Sequence, residues 1–338
     1  MVPPASGAQR NGRFYVVGTD IVAPDGTQFL PLGANVGTTL NFDWRGTGNG
    51  HSSDALAWGW NTVRLTIYCT STADFSIWHR DGYDALLATV DNFITEYTSK
   101  HIVVMVECHD WFANQADTDR FWTDMATRYR ANPYVWFNAM NEPEWNDNAQ
   151  WLNLQQHYLG LIRAQGAENV FVADVMNSGN DAGWDGALPV YDPSMGPTLR
   201  TGQCNVLFSM HDYGGVDNTI GSSNYWDRVH AANLAMVVGE FGETIDGTSN
   251  AGSYQLNVNG ANDVFSAAAS KGIGMLWWHA THGDNYSLKN NGDAFYADGG
   301  DSANLSPAGA RLWAAAHPAP TPPKFTGDLR ASGCASAP

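Results

Sequence analysis

Short apolar runs bounded by turn residues recur along the whole chain, and segments with helical spacing lie between them. The runs are Phe29–Asn35, Thr62–Tyr68, Ile102–Cys108, Tyr134–Met140, Asn169–Val175, Asn205–Met210, Ala235–Glu240 and Gly274–Trp278. Most are continuous rather than alternating, the pattern of strands buried on both faces in a parallel sheet. Tyr83–Ile94 places apolar residues at i, i+3, i+4 and i+7, and Arg120–Arg130, Ala149–Ala164, Asn224–Ala232 and Ala261–Ser270 read similarly. Strands spaced about 30 to 40 residues apart and alternating with helices predict an α/β fold, a single (β/α)8 TIM barrel. The competing doubly wound open sheet usually has fewer strands. Upstream, Arg13–Thr19 and Ile21–Ala23 flank a turn and predict a small N-terminal β-hairpin closing the barrel floor. The chain thus divides into a flexible segment 1–12, a barrel domain 13–316 and a Pro-rich tail 317–338. The tail reads either as the start of a linker to a further module or as a frayed end.

Charge removes several classes of partner. The 338 residues hold 17 Lys and Arg against 34 Asp and Glu, a formal charge of −17 with His neutral. Such a surface repels nucleic acid and anionic membranes. With 43% hydrophobic and 15% charged residues, the chain can bury a large core. No apolar stretch approaches the roughly 18 residues of a membrane span. Fourteen Trp stand out, because an indole N–H is costly to bury without a partner. The four cysteines are far apart, with neither C-x-x-C nor zinc-finger spacing. Cys69 and Cys108 end apolar runs that can be neighbouring strands; buried free thiols are the expectation and a disulfide the alternative. Met1–Gly7 shows neither the basic nor the apolar region of a signal peptide, so the chain reads as intracellular or as a mature secreted protein.

In such a barrel the chemistry sits at the C-terminal ends of the strands. Strand two carries Arg64, and strand three ends Glu107-Cys108-His109-Asp110. Strand four ends Asn141-Glu142-Pro143-Glu144 and strand six His211-Asp212-Tyr213. Strand seven ends Glu240-Phe241-Gly242-Glu243 and strand eight Trp277-Trp278-His279. Glu142 and Glu240 thus face each other across one mouth. Paired carboxyls are what glycosidic cleavage requires: one protonates the leaving oxygen, and the other attacks the anomeric carbon. The acid needs a raised pKa, while the nucleophile must stay ionised beside a cation such as Arg64. Retention expects about 5–5.5 Å between the carboxyl groups. The plainer reading is a pair of rim salt bridges.

Asn61-Thr62-Val63-Arg64, Asn138-Ala139-Met140-Asn141-Glu142-Pro143, His211-Asp212-Tyr213 and Val238-Gly239-Glu240-Phe241-Gly242, in this order, resemble glycoside hydrolase family 5. The resemblance runs from about Phe14 to Trp313. It implies a retaining mechanism with Glu142 as acid/base and Glu240 as nucleophile. It further implies that Asn141 holds the sugar 2-hydroxyl and that Arg64 and Tyr213 bond Glu240. His211 would tune the Glu142 proton, His109 would contact substrate hydroxyls, and Trp278 would form the floor of the subsite. No cofactor or metal is implied.

Trp44, Trp111, Trp145 and Trp184 fall in predicted rim loops and are candidate platforms for sugar rings. Trp58, Trp60, Trp122, Trp136 and Trp151 fall on helices or strands and are assigned to the core. Long aromatic loops favour an open cleft and endo action. Val106–Asp110, Phe208–His211 and Val237–Gly242 resemble the family's bacterial β-mannanases, whereas Arg128–Pro133 and Thr281–Asp284 resemble its cellulases. The expected substrate is β-mannan or glucomannan, with endo-β-1,4-glucanase the alternative. The expected protein is a secreted, extracellular monomer, with a carbohydrate-binding module beyond the tail as a conceivable partner. Asp293, Asp298 and Asp301 lie in a Gly-rich stretch without EF-hand spacing and read as a solvated loop rather than a Ca2+ site. A non-catalytic glycan-binding protein on this scaffold would keep the Trp platforms and lose one carboxylate. P-loop, H-E-x-x-H and G-x-S-x-G signatures are absent.

Overall fold

The computed structural model describes residues 12–37, 48–74, 76–110, 114–143, 148–174, 195–212, 227, 229–242, 258–280, 287–290, 293–318 and 321–337. Strands β1 (Tyr15–Val17) and β2 (Asp20–Val22) form an antiparallel hairpin. Eight further strands close a parallel barrel: β3 (Leu32–Gly37), β4 (Thr62–Ile67), β5 (Val103–Cys108), β6 (Val135–Asn138), β7 (Phe171–Asp174), β8 (Val206–Asp212), β9 (Met236–Phe241) and β10 (Gly274–Trp277). The seam joins β10 to β3. Every one of these strands is buried almost throughout, which is why they read as continuous apolar runs. The first begins at Leu32 rather than Phe29, since Pro31 has no N–H for the ladder. The sixth runs on to Asp212, carrying His211 and Asp212 inside the strand.

Helices Tyr83–Thr98, Gln115–Tyr129, Asn148–Ala164 and Val258–Lys271 pack between strands, while the predicted helix Asn224–Ala232 lies partly outside the described residues. Phe14, Val16 and Ile21 of the hairpin join Val103, Met105, Val170, Val172, Leu207, Val237 and Leu276 in one apolar cluster, so the hairpin plugs the barrel floor. Trp58, Trp60, Trp122, Trp136 and Trp151 are buried. Three of their indoles have identifiable acceptors: Trp58 bonds Phe295 O, Trp122 bonds Ala139 O and Trp151 bonds Asp174 O, at 2.8–2.9 Å. The last two clamp backbone that leads into the barrel mouth. Among the described residues no helix is long and apolar enough to cross a membrane.

Two features correct the sequence reading. Cys69 and Cys108 are joined in a disulfide instead of remaining free thiols. Parallel pairing sets Ile67 beside Cys108, which brings the Cys69 Cα to 5.4 Å from its partner. The stretch 321–337, read as linker or frayed end, instead packs on the hairpin. Gln28 N donates to Pro323 O at 2.8 Å, Phe325 N to Gly26 O at 3.0 Å and Tyr15 Oη to Ser336 O at 3.0 Å. A second disulfide, Cys204–Cys334, fastens it, and Leu329 and Cys334 are buried with Tyr15 and Val22. Proline-rich composition removes ladder donors but does not prevent docking through carbonyls.

Lys289 reaches into the Gly- and Asp-rich stretch. Lys289 is fully buried, and its Nζ donates to Asp301 O and Ala303 O, both at 2.8 Å. The same ammonium lies 3.5 Å from the Asp301 carboxylate and 4.0 Å from that of Asp298.

Candidate active site

Arg64 is fully buried inside the barrel, where a guanidinium is tolerated only if its five N–H donors find acceptors. All of them do. Nε donates to Asn138 Oδ1 at 2.8 Å, and Nη1 to Asn35 Oδ1 at 3.0 Å and Glu240 Oε1 at 2.6 Å. Nη2 donates to Asn141 Oδ1 at 2.9 Å and Asp174 Oδ2 at 3.1 Å. The Glu107 carboxylate lies 3.6 Å away. Burial opposes the charge, but Glu107, Asp174 and Glu240 outweigh it and hold the guanidinium above its ordinary basicity.

Glu240 sits near the end of β9 beside His211 on β8. Burial pushes its carboxyl upward, and the His211 and Arg64 cations pull it back only in part, so its pKa stays above the ordinary carboxylate value. The preceding glycine makes this closeness possible. A Cβ on Gly239 would stand 2.2 Å from Ser209 Oγ and 3.2 Å from His211 Nε2, and Gly239 O accepts from Asn35 Nδ2 at 2.8 Å.

Glu142 follows β6 in a left-handed backbone conformation (φ 40°), uncommon for a residue with a Cβ. The approach to it is pinned by Trp122 on Ala139 O and by Asn141 N donating to Cys108 O at 2.9 Å. Its side chain is 19% exposed against 4% for Glu240, so Glu142 has the more open position. His211 lies between them. Its Nδ1 is 2.7 Å from Glu142 Oε1 and 3.4 Å from Glu240 Oε2, and its Nε2 is 3.4 Å from Asp174 Oδ2. Burial disfavours the imidazolium, yet Glu240, Asp174 and Glu142 overcome it and push the His211 pKa up to about 10. Burial likewise opposes ionisation of Asp174, but Arg64 and His211 lower its pKa to about 2.

Ligand atoms of Glu142, His211 and Glu240 lie within 4.8 Å of one another. Such a trio has the donor types of a metal site. The Arg64 guanidinium, however, already neutralises Glu240 from 2.6 Å and repels a second cation. Among the described residues the other clusters of metal-ligand type contain Cys69–Cys108 or Cys204–Cys334, whose sulfurs are committed to disulfides.

Beside the acidic pair stands an aromatic wall. His109 is buried, its Nδ1 is 3.2 Å from both Glu107 oxygens, and its ring lies parallel to Trp278 at 5.4 Å. Burial opposes a charge on His109, but Glu107 overrides it and raises the pKa. Trp278 is partly exposed, whereas Trp277 is core, packed edge-on against Phe241. The Trp278–His279 peptide is cis.

The barrel therefore brings together Arg64, His109, Asn141, Glu142, His211, Glu240 and Trp278. Tyr213, Trp44, Trp111, Trp145 and Trp184 lie outside the described residues. Asn35 and Asp174 were missed in the sequence, and Glu107 and Asn138, though they stand in the strand-end and family motifs, were given no role; all four are buried and face Arg64. Their signal was a single polar residue interrupting or ending an apolar strand.

A family model described as Cellulase (glycosyl hydrolase family 5) matches residues 31–284. Mannan endo-1,4-beta-mannosidases of Cellvibrio japonicus (strain Ueda107) and Streptomyces lividans are each 25% identical, over 78% and 79% of this chain. The chain spans 58% and 66% of their respective lengths. Endoglucanase MaCel5A of Microbulbifer sp. (strain ALW1) is 26% identical over 45% of the chain and 30% of its own length. In three dimensions the mannanase catalytic domain of Streptomyces sp. SirexAA-E matches with a TM-score of 0.67 at 20% identity, covering 96% of this chain and 98% of that one. The catalytic domain of Thermobifida fusca endoglucanase Cel5A matches with a TM-score of 0.69 at 19% identity, covering 91% and 98%.

Proposed function

Because this chain belongs to glycosyl hydrolase family 5, we propose that it is a retaining, endo-acting hydrolase of β-1,4-linked plant polysaccharide, with β-mannan or glucomannan its substrate. The observation that carries the reading is the pair Glu142 and Glu240, with carboxylate oxygens within 4.8 Å across His211 and beside a fixed guanidinium. Carboxylates whose nearest oxygens approach this closely support double displacement, since inversion needs room for a water between carboxyl groups about 6.5–9.5 Å apart.

In this reading Glu240 attacks the anomeric carbon while Glu142 gives its proton to the departing glycosidic oxygen. The C–O bond breaks through an oxocarbenium-like state and a glycosyl ester forms on Glu240. Glu142, now a carboxylate, takes a proton from water, whose oxygen displaces Glu240 with a second inversion. Arg64 orients Glu240 and returns a counter-charge to it when the ester breaks. With its Oδ1 held by Arg64, Asn141 keeps its NH2 to donate to a 2-hydroxyl, a bond that strengthens as charge develops. His109 and Trp278 offer a polar edge and an apolar face to one sugar ring. Tyr213 is assigned to Glu240, and Trp44, Trp111, Trp145 and Trp184 to outer platforms.

Mannan is favoured because mannan endo-1,4-beta-mannosidases align over more of the chain than the endoglucanase does. Endo-β-1,4-glucanase is the second reading, supported by the likeness to endoglucanase MaCel5A. Two disulfides suit an oxidising environment and thus a secreted protein. The test is the release of reducing ends from soluble mannan, glucomannan and carboxymethyl-cellulose. Faster cleavage of mannan than of the glucan is expected. Cleavage of the glucan alone overturns the substrate assignment, and no product from any polymer overturns the hydrolase.

A further inference from the structure

Arg64 and His211 each serve one of the two carboxylates, and a single buried acid stands behind both. Asp174 closes β7, accepts from Arg64 Nη2 at 3.1 Å and from Asn138 Nδ2 at 3.0 Å, and faces His211 Nε2 at 3.4 Å. Its carbonyl is held by the buried Trp151 indole at 2.8 Å. Charges therefore alternate along one chain of contacts: Glu240, Arg64, Asp174, His211, Glu142.

We propose that Asp174 is a positioning residue that keeps a proton on both nitrogens of His211, and so fixes on which oxygen Glu142 carries its acidic proton. This rests on the assignment of Glu142 as the acid. A doubly protonated imidazole has only donors, so Nδ1 must donate to Glu142 Oε1. The acidic proton of Glu142 is then confined to Oε2, the oxygen not engaged by His211. Were Asp174 uncharged, Nε2 would lose the anion it faces, only Glu240 and Glu142 would remain to hold the imidazolium, and His211 would deprotonate at lower pH. Its Nδ1 could then accept, drawing the Glu142 proton toward the imidazole and away from the glycosidic oxygen. Among the described residues the charged groups around His211 are Glu142, Glu240 and Asp174, with Arg64 behind Asp174 and Glu240. Asp174 is the carboxylate of that set to which the proposed mechanism gives no reacting atom.

The experiment compares wild type with Asp174→Asn on an unactivated oligosaccharide and on the matching dinitrophenyl glycoside, whose leaving group needs no proton. General-acid help is worth about 10²–10⁴-fold, so a variant with a misdirected proton loses at least about tenfold on the oligosaccharide and far less on the activated glycoside. The alkaline limb of kcat/KM also moves to lower pH, because activity falls as the newly titrating His211 deprotonates. Equal losses on both substrates at every pH would mean a merely structural role and overturn the proposal. Unchanged kinetics would overturn it too. Should Asp174→Asn fail to fold, NMR of the His211 ring in wild type decides. Both nitrogens protonated from pH 5 to 8 is the expected result, and a neutral ring in that range contradicts it. A wild type that cleaves neither substrate fails the proposed function instead.

Discussion

Arg64 Nη1 donates to Glu240 Oε1 at 2.6 Å, with the guanidinium fully buried and the carboxylate nearly so. The pair belongs to the stability of the barrel as much as to its chemistry. Replacing Arg64 by Met leaves Glu240 and Asp174 without the guanidinium that bonds both and with His211 as the remaining cation beside them. Removing one partner of a buried pair costs about 3–5 kcal/mol. Thermal denaturation of Arg64→Met should show a large fall in Tm, and the folded fraction should lose activity by at least about 10²-fold. A variant with wild-type Tm and activity would refute both roles.

Stability should depend on pH through Asp110. Burial raises its carboxyl to about 6, although Cys69 N donates to it at 2.7 Å. A carboxyl with a folded pKa above its unfolded value is better tolerated protonated. Stability is therefore lost as pH rises from about 4 to about 6 and stays lower above it. Asp110→Asn removes this dependence. Urea midpoints at pH 4 and pH 7 should lie closer together in the variant than in wild type. An unchanged gap would show that the carboxyl is not the responsible group.

The two disulfides should separate stability from activity. Cys204–Cys334 closes a loop of 130 residues and ties stretch 321–337 to the floor, at the end opposite the acidic pair. Its conversion to two serines should cost about 2–5 kcal/mol and leave kcat at 25 °C near the wild-type value. Cys69–Cys108 borders His109 and Asp110, so its removal should lower both stability and kcat. Equal behaviour of the two variants would contradict this division.

Trp278 should matter to binding. Its ring stands parallel to His109 and partly open to solvent beside the acidic pair. Trp278→Ala should reduce kcat/KM on oligosaccharides by about 30-fold, the equivalent of ~2 kcal/mol for a binding aromatic. A loss under about threefold would place the sugar elsewhere.

The architecture was readable because strands buried on both faces must be apolar throughout, and the runs from Phe29 to Trp278 met that demand. Glu142 and Glu240 were readable because each follows such a run. Asp174 was not, although Phe171–Val172–Ala173–Asp174 has the same form, because its role exists only once the barrel sets β7 beside the Arg64 and His211 side chains. Asn35 escaped, and Asn138 was given no role, for the same reason: their partners come from other strands. The Cys204–Cys334 bond and the docked tail also depend on where a distant segment returns, which no local pattern carries.

The covalent role of Glu240 is the centre of this account, and trapping tests it most directly. Incubation with a 2-deoxy-2-fluoro glycosyl fluoride, which slows release from the enzyme, should yield one glycosyl adduct. Peptide mass spectrometry should find it on Glu240. An active enzyme that forms no adduct, or carries it on another residue, would contradict the mechanism.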